Sequence, residues 1–333
     1  MKGQREAENG PEPLTAGLLP PPFVRWFAGK GWQPRAHQLA LLEKARAGQS
    51  VLLIAPTGAG KTLAGFLPAL TDLATRGPRK PGTAFQGIHT LYISPLKALA
   101  VDIERNLMKP VGEMGLPVTI ETRTGDTPQG KRQRQKLQPP DILLTTPEQL
   151  ALLIANSEAE RFFAGLRYVV FDELHSLVTS KRGHLLALGL ARLRKLAPRM
   201  QAIGLSATVA DPLDLRRWLM PQADGEAAAD LVVAPGGARP LITILESDDR
   251  IPWSGHVARY AIPAIYEEIR THKTTLIFVN TRSQAEIVFQ ELWTVNDDSL
   301  PIALHHGSLD AGQRRKVEAA MAENRLRAVV ATS

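Results

Sequence analysis

Residues 51–62, VLLIAPTGAGKT, place a lysine and a hydroxyl directly after a glycine-punctuated loop. That spacing suits phosphate chemistry. The N–H groups of Thr57, Gly58, Ala59 and Gly60 and a following helix N-terminus can face anionic oxygens. Lys61 can neutralise charge there, and the Thr62 hydroxyl can hold Mg²⁺. The common pattern, G-x-x-x-x-G-K-[ST], has glycine where this chain has Ala55, so the flanks carry the reading. A second chemical pair, Asp172-Glu173, follows a second apolar run, Tyr168 to Phe171. Adjacent carboxylates downstream of a phosphate loop suit metal-assisted phosphoryl transfer. Asp172 would face Mg²⁺ and Glu173 would orient and deprotonate water. Ser206 and Thr208 offer hydroxyls that could bond His175 or Asp172. Upstream, the Gln38 amide could read an adenine edge. An aromatic from the group Phe23, Trp26, Phe27 and Trp32 could stack on a base, although most of these read as a hydrophobic lid. Lys97 and Arg123 could pair with nucleic-acid phosphates, as could Thr146 and nearby N–H groups, with Glu148 on the same edge.

The elements that must position these residues alternate. Val51 to Ile54 reads as a buried strand, and the apolar spacing through Ala64, Phe66, Leu67 and Leu70 as a helix. A helix from Gln38 to Ala47 leads into the first strand. Further strands are predicted at Leu91 to Ile93, Val118 to Ile120, Asp141 to Leu144, Tyr168 to Phe171, Ala202 to Leu205 and Leu231 to Ala234. Helices start near Leu96 and run through Leu185 to Leu196; the basic GKRQRQKL reads as a solvated helix face, and residues 76–87 as a loop. The pattern restarts after Pro235-Gly236-Gly237. Helices are predicted at Pro263 to Ile269, Gln284 to Trp293 and Ala311 to Ala322, and strands at Thr275 to Val279, Ile302 to Leu304 and Ala328 to Val330. Such alternation predicts doubly wound parallel sheets, in which ligands gather at the carboxyl ends of strands. The chemical residues each follow a strand, so the sheet should bring them to one edge.

Composition bounds the reading. The chain has 333 residues, 44% hydrophobic and 22% charged, with net charge +7 and no cysteine. This suggests two domains, excludes disulfides and Cys-ligated metals within the chain, and permits a polyanionic partner. No apolar run is long enough to cross a bilayer. The expected division is a flexible tail at 1–15, a first domain at 16–234, a linker at 235–240 and a second domain at 241–333.

The ordered motifs Gln38, APTGAGKT, SPLKAL, TTPE, DELH, SAT, FVNTRSQAE, HHGSL and ATS resemble superfamily 2 DEXH-box helicases. SPLKALA, Lys181-Arg182-Gly183 and HHGSL are most similar to the Lhr-like (large helicase-related) branch, nearest its bacterial ligase-associated DNA-damage-response members. The resemblance implies two tandem RecA-like α/β domains, the second incomplete, with ATP and Mg²⁺ between them. It assigns Gln38 to adenine, Lys61 and Thr62 to phosphates and Mg²⁺, Asp172 and Glu173 to hydrolysis, and His175, Ser206 and Thr208 to coupling. Ser94, Pro95, Lys97, Arg123, Thr145, Thr146, Pro147 and Glu148 would grip nucleic acid from the first domain. Thr281, Arg282, His306, Gly307, Ser308 and Thr332 would do so from the second. It further implies 3′-to-5′ movement on single-stranded or partly duplex DNA, repair partners such as a ligase, and a cytoplasmic, nucleoid-associated setting without membrane attachment. RNA is the alternative substrate, and an ATP-gated nucleic-acid clamp the alternative function. The chain ends before the arginine-rich motif that follows ATS in that family, so the resemblance implies a truncated chain that binds ATP and hydrolyses it poorly.

Overall fold

Short apolar runs closed by Ala, Ser, Thr or Asp form the strands, and longer amphipathic stretches form the helices between them. The computed structural model describes residues 17–76, 87–207, 209, 211–221, 227–236, 240–245 and 259–332. The expected tail at 1–15, most of the predicted 76–87 loop, Thr208 and residues 237–239 of the expected linker lie outside the described residues. The chain divides into two units, residues 1–239 and 240–333.

The first unit runs α1 (Pro21–Gly29), α2 (Ala36–Arg46), β1 (Val51–Ile54), α3 (Lys61–Arg76), β2 (Thr90–Ile93) and α4 (Lys97–Glu113). It continues with β3 (Ile120–Arg123), α5 (Gln129–Leu137), β4 (Ile142–Thr145), α6 (Pro147–Ile154), α7 (Ala159–Phe163) and β5 (Tyr168–Phe171). It closes with α8 (Leu174–Val178), α9 (Lys181–Leu196), β6 (Gln201–Ser206), α10 (Leu213–Trp218) and β7 (Asp230–Val233). The described strands form one parallel sheet in the order β3-β4-β2-β5-β6-β1-β7. A parallel sheet needs cover on both faces. Alternate residues of β1 supply both sides: Val51 and Leu53 pack with Leu41, Phe66 and Leu70, and Leu52 and Ile54 with Leu174, Leu186 and Leu190.

Most strand boundaries lie one to three residues from their expected places, and two of the shifts have a visible cause. The strand predicted at Val118 to Ile120 begins at Ile120, and the one predicted from Asp141 begins at Ile142. Thr119 and Asp141 tie each other instead. The Thr119 N–H and hydroxyl donate to Asp141 Oδ2 at 2.9 and 2.8 Å, and the Asp141 N–H donates to Thr119 Oγ1 at 2.9 Å. Arg76 also pairs with Asp141. The basic helix α5 is only partly a solvated face: the buried Gln135 amide donates to Glu121 Oε2 and to the Thr122 carbonyl, and Arg134 pairs with Glu121. Helices α6, α7, α8 and α10, of 8, 5, 5 and 6 residues, were not predicted, because runs that short carry little periodic signal.

The second unit contains α11 (Ile262–Thr271), β8 (Thr275–Val279), α12 (Arg282–Thr294), β9 (Ile302–His305), α13 (Ala311–Ala322) and β10 (Ala328–Thr332). Its described strands form a parallel sheet in the order β8-β10-β9. Ile262, Tyr266, Ile269, Val288 and Leu292 cover one face over Ala328 and Val330.

Candidate functional site

The loop between β1 and α3 turns through Gly58 (φ +79°) and Gly60 (φ +77°), a region that favours glycine. The N-terminal end of α2 braces it. Arg35 Nη1 donates to the Gly58 carbonyl at 3.1 Å, the His37 ring Nε2 lies 2.9 Å from the Ala59 carbonyl, and Gln38 Nε2 donates to the Gly60 carbonyl at 3.3 Å. Three successive carbonyls are thus taken by side chains. The α3 N-terminus keeps N–H groups to offer an anion. Lys61 Nζ donates to the Ala55 carbonyl at 2.9 Å, beside the same loop. A β-carbon on Gly60 would lie 2.8 Å from Gln38 Nε2, so a side chain there would displace the Gln38 amide. These features fit a nucleotide triphosphate. A cavity of about 450 Å³ opens beside the loop, lined by Arg35, His37, Pro56, Thr57 and Gly58 together with Pro235 and Gly236.

Gln38 is only 4% exposed, and its amide is engaged within the protein: Oε1 accepts the Arg35 N–H at 3.0 Å and Nε2 holds the loop. Among the upstream aromatics, Phe23 and Phe27 are buried core, Trp26 donates to Glu113, and Trp32 stands 58% exposed.

Asp172 ends β5 and is 5% exposed. Its Oδ2 accepts the Tyr92 hydroxyl, and its Oδ1 accepts the Glu173 N–H at 3.0 Å. Burial raises the Asp172 carboxyl above its ordinary range, the Tyr92 hydrogen bond works against that, and Glu173 adds to it. Tyr92 is itself pushed well up, first by burial and then by the charge of Asp172. Glu173 is a non-glycine residue in the left-handed region (φ 46°, ψ 45°) and starts α8. That turn lifts its carboxylate off the strand direction, and Oε2 lies 3.6 Å from His175 Nε2. Ser206 ends β6, the strand between β1 and β5, in register with Ile54. Its hydroxyl donates to the Ala207 carbonyl at 3.0 Å, so at 3.1 Å it accepts the proton of His175 Nδ1. The fold thereby joins the phosphate loop, Ser206, His175 and Asp172-Glu173 through adjacent strands. Among the described residues no cluster of three metal-binding side chains occurs.

The remaining strand-end loops lie along the same edge. Ser94 is buried and its hydroxyl donates to the Leu96 carbonyl at 3.2 Å. Lys97 is exposed and pairs with Asp126 at 3.0 Å. Arg123, expected to reach phosphate, is 6% exposed, and its Nη1 donates to the Arg132 carbonyl at 3.1 Å. Burial lowers its pKa, with the charge of Arg132 adding to the effect. Arg132 in turn holds the Thr124 and Gly125 carbonyls. Thr145 Oγ1 donates to the Arg123 carbonyl at 2.8 Å, and Thr146 and Pro147 are buried at the start of α6. Glu148 faces Arg182, which holds its carboxyl down to about 2.

In the second unit, Thr281 caps α12 through Gln284 N, and Arg282 Nη1 donates to Ser308 Oγ at 2.7 Å. His306 is buried and accepts the Ser308 N–H, with Gly307 between them beside Arg282. Thr332 ends β10 in register with Val279. These residues share the carboxyl end of that sheet. Sequence reasoning missed Arg35, His37, Tyr92 and Arg132. Tyr92 left one signal, a polar-tipped aromatic inside an apolar strand, because a buried tyrosine hydroxyl usually has a partner.

Comparison with known proteins bears on this arrangement. Residues 35–215 match the family described as DEAD/DEAH box helicase, and residues 259–333 the helicase conserved C-terminal domain. The Lhr helicase/probable uracil glycosylase of Mycolicibacterium smegmatis is 34% identical over 98% of this chain and 24% of its own length. ATP-dependent helicase Lhr-Core of Methanothermobacter thermautotrophicus is 36% identical over 90% of this chain and 36% of its own. The chain spans 24% to 38% of the length of the Lhr relatives it matches. Mycobacterium smegmatis helicase Lhr bound to ssDNA and AMP-PNP superimposes with a TM-score of 0.74 at 35% identity, over 95% of this chain and 42% of that one. The DUF1998 helicase MrfA bound to DNA and AMPPNP shares the fold, with a TM-score of 0.77 at 23% identity, over 98% and 45% of the two chains. No described helix is long and apolar enough to cross a membrane. The first family match covers more than half of the chain and takes in the same loops that the geometry singles out, so the chain belongs to the DEAD/DEAH box helicase family.

Proposed function

We propose that this chain is the motor core of an ATP-dependent DNA helicase or translocase, with residues 16–234 holding the nucleotide, 235–240 as linker and 241–333 as the second strand-gripping domain. The observation that carries this reading is the order β5-β6-β1. It sets Asp172-Glu173 and the Lys61 loop on strands separated only by the one that ends at Ser206. Bound there, ATP would supply the phosphoanhydride and Mg²⁺ the neutralising charge, with Lys61, Thr62 and Asp172 holding them. Glu173, lifted by its left-handed turn, orients water and takes its proton. His175 and Ser206 relay the state of that turn to β6. Thr208 completes this relay by the family resemblance. Single-stranded nucleic acid crosses the edge formed by the Ser94-Pro95-Lys97, Thr124-Gly125 and Thr146-Pro147 loops, and Thr281, Arg282, His306, Ser308 and Thr332 contact it from the second unit. DNA is favoured as the strand by the ssDNA-bound Lhr structure. Movement from 3′ to 5′ and a role in DNA repair rest on the resemblance alone.

The test is phosphate release with no nucleic acid, with single-stranded DNA and with single-stranded RNA, alongside binding of a fluorescent AMP-PNP analogue. The expected result is analogue binding that Lys61→Ala removes, and a slow turnover that DNA raises and Glu173→Gln cuts by about 10²-fold or more, as expected for losing a general base. Turnover undiminished in Glu173→Gln would overturn the catalytic assignment. Stimulation by RNA alone would overturn the DNA reading.

A further inference from the structure

Arg182 joins two loops that leave neighbouring strands at the same level. Its Nη1 donates to the Pro95 carbonyl at 2.6 Å, between β2 and α4. Its Nε and Nη2 grip the Glu148 carboxylate at 2.5 and 3.0 Å, in the first turn of α6. Strands β2 and β4 pair directly, with Ile93 opposite Thr145, so one guanidinium fixes the spacing between their two exit loops. It also neutralises a carboxylate that would otherwise repel phosphate at this edge. A bidentate fork is the geometry that does both at once.

The other end of this connection is the catalytic turn. Only α8 and one tight joint separate Glu173 from Arg182. The joint is cinched. Ser180 Oγ donates to the Leu177 carbonyl at 2.7 Å, and the Gly183 N–H donates to the Ser180 carbonyl at 2.8 Å. A β-carbon on Gly183 would lie 2.2 Å from the Leu177 carbonyl oxygen, so no other residue fits this joint without backbone movement. Leu174 and Leu177 anchor α8 in the core. The joint is therefore stiff, and α8 is the short covalent path from Glu173 to Arg182.

We propose that Arg182 is a positioning residue that clamps the Pro95 and Glu148 loops for nucleic acid and ties that clamp to the nucleotide-sensing turn at Glu173. The proposal rests on the nucleic-acid reading above. It predicts that Arg182 sets how far nucleotide changes strand affinity.

The experiment compares wild type, Arg182→Ala, Arg182→Lys, Glu148→Ala and the Arg182→Ala/Glu148→Ala double variant. Binding of fluorescent single-stranded DNA is measured with and without AMP-PNP and Mg²⁺, and thermal melting checks the fold. Arg182→Ala should weaken DNA binding about tenfold, the loss expected for one charge-assisted bond. It should also abolish the difference that nucleotide makes. Arg182→Lys keeps the charge without the fork and should fall between. The double variant should be no worse than Arg182→Ala, since both act through one clamp. Hydrogen exchange across residues 95–99 and 146–150 should quicken in Arg182→Ala. Wild-type DNA affinity and nucleotide response in Arg182→Ala, simple addition of the two single losses, or unchanged exchange would each overturn the clamp. If wild type itself fails to bind DNA, the motor reading falls, and hydrogen exchange still decides whether the clamp exists.

Discussion

Asp172 and His89 show how far one residue's chemistry depends on what surrounds it. Both are buried on the same sheet, Asp172 at the carboxyl end of β5 and His89 just before β2. Asp172 keeps two donors against burial, the Tyr92 hydroxyl and the Glu173 N–H, and burial still raises its pKa. His89 is 7% exposed, and its ring packs at the amino end against Tyr168 and Thr90. Burial lowers its pKa from 6.5 to about 4, against the pull of Asp72. The unfolded chain therefore takes up a proton below pH 6.5 that the folded chain refuses. Stability is fully present above pH 6.5 and is lost as pH falls toward 4. The loss is roughly 3 kcal/mol, at about 1.36 kcal/mol for each pH unit between the unfolded and folded values. Urea unfolding across this range should show it, and His89→Gln should flatten the slope. Equal slopes in the two proteins would contradict the assignment.

At the scale of elements, the phosphate loop owes its shape to α2 as much as to its own glycines. Gly58 and Gly60 share a left-handed backbone but differ in surroundings. A β-carbon at Gly58 meets nothing within 4 Å, whereas at Gly60 it meets Gln38 Nε2 at 2.8 Å. Gly58→Ala should cost only conformational strain, about 1–2 kcal/mol. Gly60→Ala should add displacement of the Gln38 brace and lower AMP-PNP affinity by a further factor of about ten, by loss of one loop-fixing hydrogen bond. Melting temperatures and nucleotide titrations of the two variants measure this, and equal affinities would show that the brace does not shape the cradle. The strand, loop and α3 were legible because apolar runs and glycines signal locally. The brace was not, because Arg35 and His37 act 23 and 22 residues away in sequence. The short helices α6 and α8 were illegible for the related reason that they form only where neighbouring strands deliver them.

The molecule as a whole collects its chemistry by topology. Because every described strand pair is parallel, each loop that follows a strand in a unit emerges at one edge of that unit's sheet. On that edge Lys97 is exposed in the first unit and Arg282 in the second, and the chain carries net charge +7. Backbone recognition by such groups should be salt-dependent and indifferent to base sequence. The logarithm of DNA affinity should fall with the logarithm of salt at a slope of about −1.4, which corresponds to about two phosphate contacts on a single strand. A flat dependence in fluorescence anisotropy would rule out phosphate contacts as the source of affinity.

The order of motifs and the α/β alternation could be read along the chain, since each depends on neighbours within a few residues. Tertiary structure alone decided which polar groups stay free and which are consumed. Arg123 turns inward onto the Arg132 carbonyl, Gln38 spends its amide on the loop, and Arg182 closes over Glu148. Hydrogen bonds between residues far apart in sequence leave no periodic trace, and they form only once the sheet has brought its exit loops side by side.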